Sequence, residues 1–315
     1  MKQLFKKKIV RLICAIIAVC VAAIIVFTAV SKVASGTYWS REYSGITLDT
    51  EKYALEAEAL YEEYAAQDDS MLSIVTYAED LPSDLDEVIA RYNGYIEKYF
   101  SDVYGIDVSD LIDEVEVKSL DFSLGDNELN AGGSISAMAV NDTGTLYLNS
   151  EDAEWGVVEE NTYIHEVIHL LGVAESEENE MVWLYEGFTE YLTGEVIQYT
   201  TGDYVNMTYY VENTAIAAQI AAADESVITE MIGHYGEFDL AGWIDERTGG
   251  YAQELENMLM LSVYGGYGNK DILLRAQYIA AQYCKNVNAE DARQIVKDNV
   301  IVKNFELRCL IKGYK

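Results

Sequence analysis

His165-Glu166-Val167-Ile168-His169 is the stretch on which the reading of this chain turns. It has the pattern His-Glu-x-x-His and takes two of the only 3 histidines present. Residues four apart share one face of a helix, so both imidazoles can reach one ion. Glu166 sits beside them, where it can take a proton from a water that the ion activates. The ion such a pattern holds is zinc. A catalytic zinc uses three protein ligands and leaves a position for water, so a third ligand is required.

The residues downstream offer Glu175, Glu177, Glu178, Glu180, Glu186, Glu190, Glu195 and His234. The first four lie in an acidic stretch, 174–180, that reads as solvated surface. Glu186 and Glu190 are four apart in Trp183-Leu184-Tyr185-Glu186-Gly187-Phe188-Thr189-Glu190-Tyr191-Leu192 and share a helix face. A second helix antiparallel to the first could bring that face to the histidines.

Organisation around the motif predicts an α+β fold. The segments 114–124, 134–140 and 145–149 read as strands, separated by turn residues such as Gly125-Asp126-Asn127 and Asn141-Asp142-Thr143-Gly144. They predict a small, mostly antiparallel sheet followed by a helical core and C-terminal helices. Helical patterns cover 50–67, 84–100, 182–198, 211–223, 251–264, 272–283 and 289–298, and Gly172 is placed to stop the HEVIH helix. The expected regions are 1–31, a basic flank and membrane anchor; 32–49, a linker; 50–105, helical; 106–200, the sheet and the two motif helices; and 201–315, helical.

The N-terminus reads as a membrane signal. Lys2, Lys6, Lys7, Lys8 and Arg11 precede an uncharged run from Leu12 to Ser31. Such a run is about long enough to span a bilayer, and its basic flank should stay in the cytoplasm. The remaining chain is then extracytoplasmic. A cleaved signal is the alternative, with small residues at Val33-Ala34-Ser35-Gly36. Cys14 and Cys20 fit as apolar membrane residues. Cys284 and Cys309 lie outside the span and could form one disulfide.

Composition limits the partners. The chain has 315 residues, half of them hydrophobic, which is enough for one or two domains with a sizeable core. Its formal charge of −33 argues against nucleic-acid binding. No lysine or arginine occurs from Ser119 to Glu246. This acidity suits an extracellular surface, and it would also attract basic substrates.

The chain resembles the gluzincin metallopeptidases, the superfamily of thermolysin and aminopeptidase N. HEVIH and Trp183-Leu184-Tyr185-Glu186-Gly187-Phe188-Thr189-Glu190-Tyr191 carry the resemblance, which covers roughly 120–270. It implies Glu186 as the third zinc ligand and Glu190 as the carboxylate that orients the first histidine. Glu166 would be the general base, accepting a proton from water and returning it to the leaving amine. The resemblance also implies an oxyanion donor downstream, Tyr251 in preference to His234. Ser136-Ala137-Met138-Ala139-Val140-Asn141 lies where aminopeptidases carry a substrate-binding edge strand. That strand normally supplies a glutamate for the substrate's free amine, and this chain has Ala139 and Val140 instead. Endopeptidase action on a peptide or protein substrate is therefore the better expectation. Two other readings compete: a catalytically inactive surface adhesin or scaffold on the same fold, and a metal-sequestering surface protein, whose many carboxylates would suit calcium better than zinc.

Overall fold

The computed structural model describes residues 51–60, 78–79, 85–120, 136–149, 160–173, 181–202, 210–234, 238–264 and 270–287. Contacts divide the chain into Met1–Thr47 and Leu48–Lys315, and every described residue belongs to the second unit. Among the described residues no helix is long and apolar enough to cross a membrane. The anchor segment Leu12–Ser31, the linker, Cys14, Cys20, Cys309 and the helix expected at 289–298 lie outside them.

The architecture is α+β. In chain order the elements are α1 (51–60), β1 (Ala78–Glu79), α2 (Leu85–Tyr99), α3 (Ser109–Asp113), β2 (Glu116–Leu120), β3 (Ala137–Val140), β4 (Thr145–Asn149), α4 (Glu160–Leu170), α5 (Val182–Thr201), α6 (Val211–Ala223), α7 (Ser226–Met231), α8 (Leu240–Thr248), α9 (Ala252–Tyr264) and α10 (Lys270–Val287). Four expected helices recur with ends shifted by a few residues, and 211–223 recurs unchanged. The three short helices α3, α7 and α8 were not expected, because segments this short carry too few turns for an apolar period to stand out.

The sheet differs from expectation in one added strand and one pairing. It has four strands in the order β1-β2-β4-β3, and its central pairing, β2 with β4, is parallel. The two outer pairings, β1–β2 and β3–β4, are antiparallel. The sheet is thus mixed, and the region 50–105 contributes the short strand β1 besides helices. Loop length explains the mixture. β3 and β4 are joined by a single 3₁₀ turn, Asn141–Thr143, closed by Gly144 at φ 63°, and so short a link permits only a hairpin. The long segment between β2 and β3 leaves β2 free to lie parallel to β4 on its other side.

Helix α5 is the centre of the molecule. Of its 20 residues 12 are buried, on every side, as expected of a helix packed all round rather than on one stripe. Its neighbours are α2, α4, α6 and α9. Helix α2 presents Tyr92, Ile96 and Tyr99 at a spacing of one helix face and packs against both α4 and α5. Tyr163 on α4 donates to Asn93 Oδ1 at 2.9 Å. This helix is therefore part of the scaffold behind the motif.

Candidate metal centre

Helix α4 carries HEVIH on its second half, with Ile164, Val167 and Ile168 fully buried beneath it. The helix ends at Gly172, whose φ of 116° is accessible to glycine and strained for other residues. This turn sends the Val173 carbonyl back towards the helix. His169 Nδ1 donates to that carbonyl at 2.7 Å. The bond fixes the tautomer and leaves Nε2 as a free lone pair. Thr189, fully buried on α5, donates to the same carbonyl at 3.3 Å.

The second motif helix brings Glu186, the residue the resemblance implies, to both histidines. Glu186 Oε2 lies 3.3 Å from His165 Nε2, and Glu186 Oε1 lies 3.6 Å from His169 Nε2. The two Nε2 atoms are 3.1 Å apart. Two ligand atoms each about 2.1 Å from an ion at a tetrahedral angle are about 3.4 Å apart. His165, His169 and Glu186 therefore fit one ion of zinc's size, and their nitrogen and oxygen donors suit zinc. Glu190 Oε1 stands 4.0 Å from His165 Nδ1, on the side of the ring away from Glu186.

Glu166 lies on the same helix turn. Its Oε2 accepts a hydrogen bond from the backbone N–H of Ala139, on β3, at 2.8 Å. Sequence reasoning could not find this contact, since the donor is a main-chain group.

Buried carboxylates set the electrostatics. Burial pulls the His165 imidazole down, but the Glu186 hydrogen bond and the charges of Glu190, Glu166 and Glu186 outweigh it and hold it up at about 9. His169 is likewise raised: burial opposes, and Glu186 prevails. Glu186 is held well below the usual carboxylate range; burial works against this, and the two histidines win. Glu166 and Glu190 are both raised, chiefly by burial. A divalent cation would neutralise much of the negative charge gathered here.

The register of α5 is fixed from the C-terminal half of the chain. Its first N–H groups have no capping side chain at Met181. Glu256 on α9, only 3% exposed, accepts instead from Trp183 N–H at 2.7 Å and from Leu184 N–H at 3.2 Å. Asn213 on α6 donates to the Trp183 carbonyl at 3.0 Å. Gly187, next to the ligand, meets α6 so closely that a Cβ there would stand 2.5 Å from the Asn213 carbonyl oxygen. Glycine is required at this contact by space, not by φ. A signal for Glu256 did exist: it lies in the stripe Ala252, Leu255, Glu256, Leu259, where an apolar residue is expected.

The remaining candidates fall elsewhere. Among the described residues, Tyr251 has its backbone N–H on Thr248 Oγ1 and its ring beside Arg275, which binds Glu254 through two hydrogen bonds; no contact runs from Tyr251 to the histidines. His234 is exposed, with Nδ1 3.0 Å from the Glu230 carbonyl oxygen. Glu195, on the following turns of α5, lies near Tyr99 and Tyr191 and not with the ligands. Glu175, Glu177, Glu178 and Glu180 lie outside the described residues. Among the described residues Cys284 is a free, buried thiol whose burial pushes it up to about 12, and Cys309 lies outside them.

No protein-family model, no curated protein and no solved structure matches this chain.

Proposed function

We propose that the chain is a metal-dependent hydrolase of the HExxH class. More narrowly, we read it as a gluzincin-like zinc endopeptidase, anchored by its N-terminal segment with the catalytic part outside the cytoplasm. One observation carries the reading. His165, His169 and Glu186 meet at ligand spacing, 3.1 to 3.6 Å between neighbouring atoms, with Glu166 one residue along the same helix.

His165, His169 and Glu186 would hold the ion, and the outer partners of the histidines are Glu190 and the Val173 carbonyl. Bound zinc supplies two things, a lowered pKa for water and polarisation of a carbonyl. Glu166 takes the proton of the attacking water and returns it to the leaving amine. β3 is an edge strand among the described residues, and an extended peptide can pair with such an edge through its backbone. Ala139, at the position where aminopeptidases carry a glutamate, offers no anchor for a free amine, which favours internal peptide bonds. Tyr251, engaged with Arg275, is left out of the proposed machinery.

Zinc content and peptidase activity of the purified chain, with and without Glu166→Gln, test the reading. The expected result is one zinc per chain in both proteins and a loss of activity of about 10²- to 10⁴-fold in the variant. A wild type without stoichiometric zinc, or a variant that cleaves equally well, defeats it. Zinc binding with a diverse peptide library left uncut favours the inactive adhesin or scaffold instead.

A further inference from the structure

We infer that the backbone N–H of Ala139 is a positioning group for Glu166, so that the edge strand β3 clamps the general base as well as offering a surface to the substrate. The inference rests on the peptidase reading. It begins from hydrogen-bond accounting along β3. Successive residues of an edge strand point their backbone groups alternately at the neighbouring strand and away from it. Asn149 N–H donates to the Ser136 carbonyl at 3.0 Å, which places Ser136, and by alternation Met138 and Val140, on the β4 side. Ala137 and Ala139 then direct their N–H and C=O groups to the free edge. The Ala139 N–H does not reach solvent there. It donates to Glu166 Oε2 at 2.8 Å across 27 residues of sequence.

Glu166 needs such a partner. It is half-buried, and Glu186 and Glu190 stand close enough for their negative charges to act on it. A carboxylate on a flexible side chain in that field would swing outwards. With Oε2 held by the strand, Oε1 is the oxygen left to accept a proton, and its position is set by the sheet rather than by rotamer choice. On the same edge the Ala139 carbonyl has no hydrogen bond among the described residues. A peptide can therefore dock by strand addition without displacing Glu166, and base and substrate share one register. The clamp uses no side chain, so any residue except proline supports it at 139.

Two measurements on the full-length protein test this. The first is residue-resolved hydrogen exchange of the Ala139 amide in wild type and Glu166→Ala. The expected change is an acceleration of at least about tenfold at Ala139, with Met138 and Val140, bonded to β4, unchanged. The second compares Ala139→Pro, which removes the N–H at an edge position where proline is tolerated, with Ala139→Gly, which keeps it. The expected result for Ala139→Pro is a fall in kcat of about 10- to 100-fold with KM, zinc content and melting temperature near wild type, and rescue in Ala139→Gly. A merely structural role would move zinc content and melting temperature together with kcat. Equal exchange rates overturn the inference, and so does an unchanged kcat in a folded, zinc-loaded Ala139→Pro. A wild type with no peptidase activity overturns the peptidase reading and this role with it, whereas an active wild type with either of the previous results overturns this role alone.

Discussion

Helices α4 and α5 meet at one site but are held by different means. The main-chain contacts that hold the motif half of α4 lie close in sequence, between Ala139 and Val173: the Ala139 N–H on Glu166, the Gly172 turn and the Val173 carbonyl on His169, while its first half is tied to α2 through Tyr163 and Asn93. Helix α5 is fixed from far along the chain. Glu256 caps its start across 73 residues, Asn213 binds the Trp183 carbonyl across 30, and Gly187 seats it against α6. Helices α6 and α9, beyond residue 201, are therefore part of the candidate site's framework and not an appendage. Damage far from the histidines should reach the site through α5 and spare α4.

The sharpest way to break this contrast is Glu256→Ala. It takes the Glu256 acceptor from the buried Trp183 N–H, at about 1–3 kcal/mol, whereas the Leu184 N–H keeps the Met181 carbonyl at 3.2 Å. Urea unfolding should show a loss of that order. Zinc affinity, measured by competition with a chelator, should fall as well, because Glu186 lies three residues from Trp183. Glu256→Gln keeps one acceptor oxygen and should sit between the two. A Glu256→Ala protein as stable as wild type would show that α5 needs no anchor from α9.

A second, smaller effect separates the metal-free from the loaded protein. His165 is held up at about 9 in the fold against an ordinary value of 6.5: burial opposes, and the carboxylates of Glu186, Glu190 and Glu166 prevail. The folded value exceeds the unfolded one, so protonated His165 stabilises the metal-free protein fully below the unfolded value and loses that contribution as pH rises through about 9. The melting temperature of the metal-free protein should fall across that window. With zinc bound, His165 carries no proton and the curve should be flatter there. His165→Gln should flatten the metal-free curve too. Equal slopes in all three would separate His165 from this linkage.

How far the sequence was legible follows the same division. HEVIH, and Glu186 with Glu190 on one face, could be read because four-residue spacing on a helix is a local rule, the choice of Glu186 between the two resting on the resemblance, and Gly172 as a stop obeys another local rule. The α+β class and most helices followed from periodicity. The parallel pairing of β2 with β4 did not, because pairing joins segments with no local rule between them. The contacts of Ala139 and Val173 were hidden for a different reason: each acts through its main chain, which is the same for almost any residue. Thr189 lay in plain view between Glu186 and Glu190, but its role depends on how α5 is rotated against α4. Tyr251 stands out only by its distance along the chain, a weak guide among 25 tyrosines.

The smallest expected effect compares the outer partners of the two histidines. His165 has the Glu190 carboxylate at 4.0 Å, whereas His169 has the Val173 carbonyl at 2.7 Å with Thr189 3.3 Å from the same nitrogen. Outer partners of a metal-bound histidine contribute about 10- to 100-fold in affinity. Glu190→Gln removes the charged partner and should weaken zinc by about tenfold, the low end of the range, because the contact is long. Thr189→Val keeps the shape and leaves the shorter His169–Val173 bond in place, so its loss should be smaller. Chelator competition at one pH measures both. If Thr189→Val is the more damaging of the two, the threonine hydroxyl, and not the carbonyl, orients His169, and α5 rather than the Gly172 turn sets the second histidine.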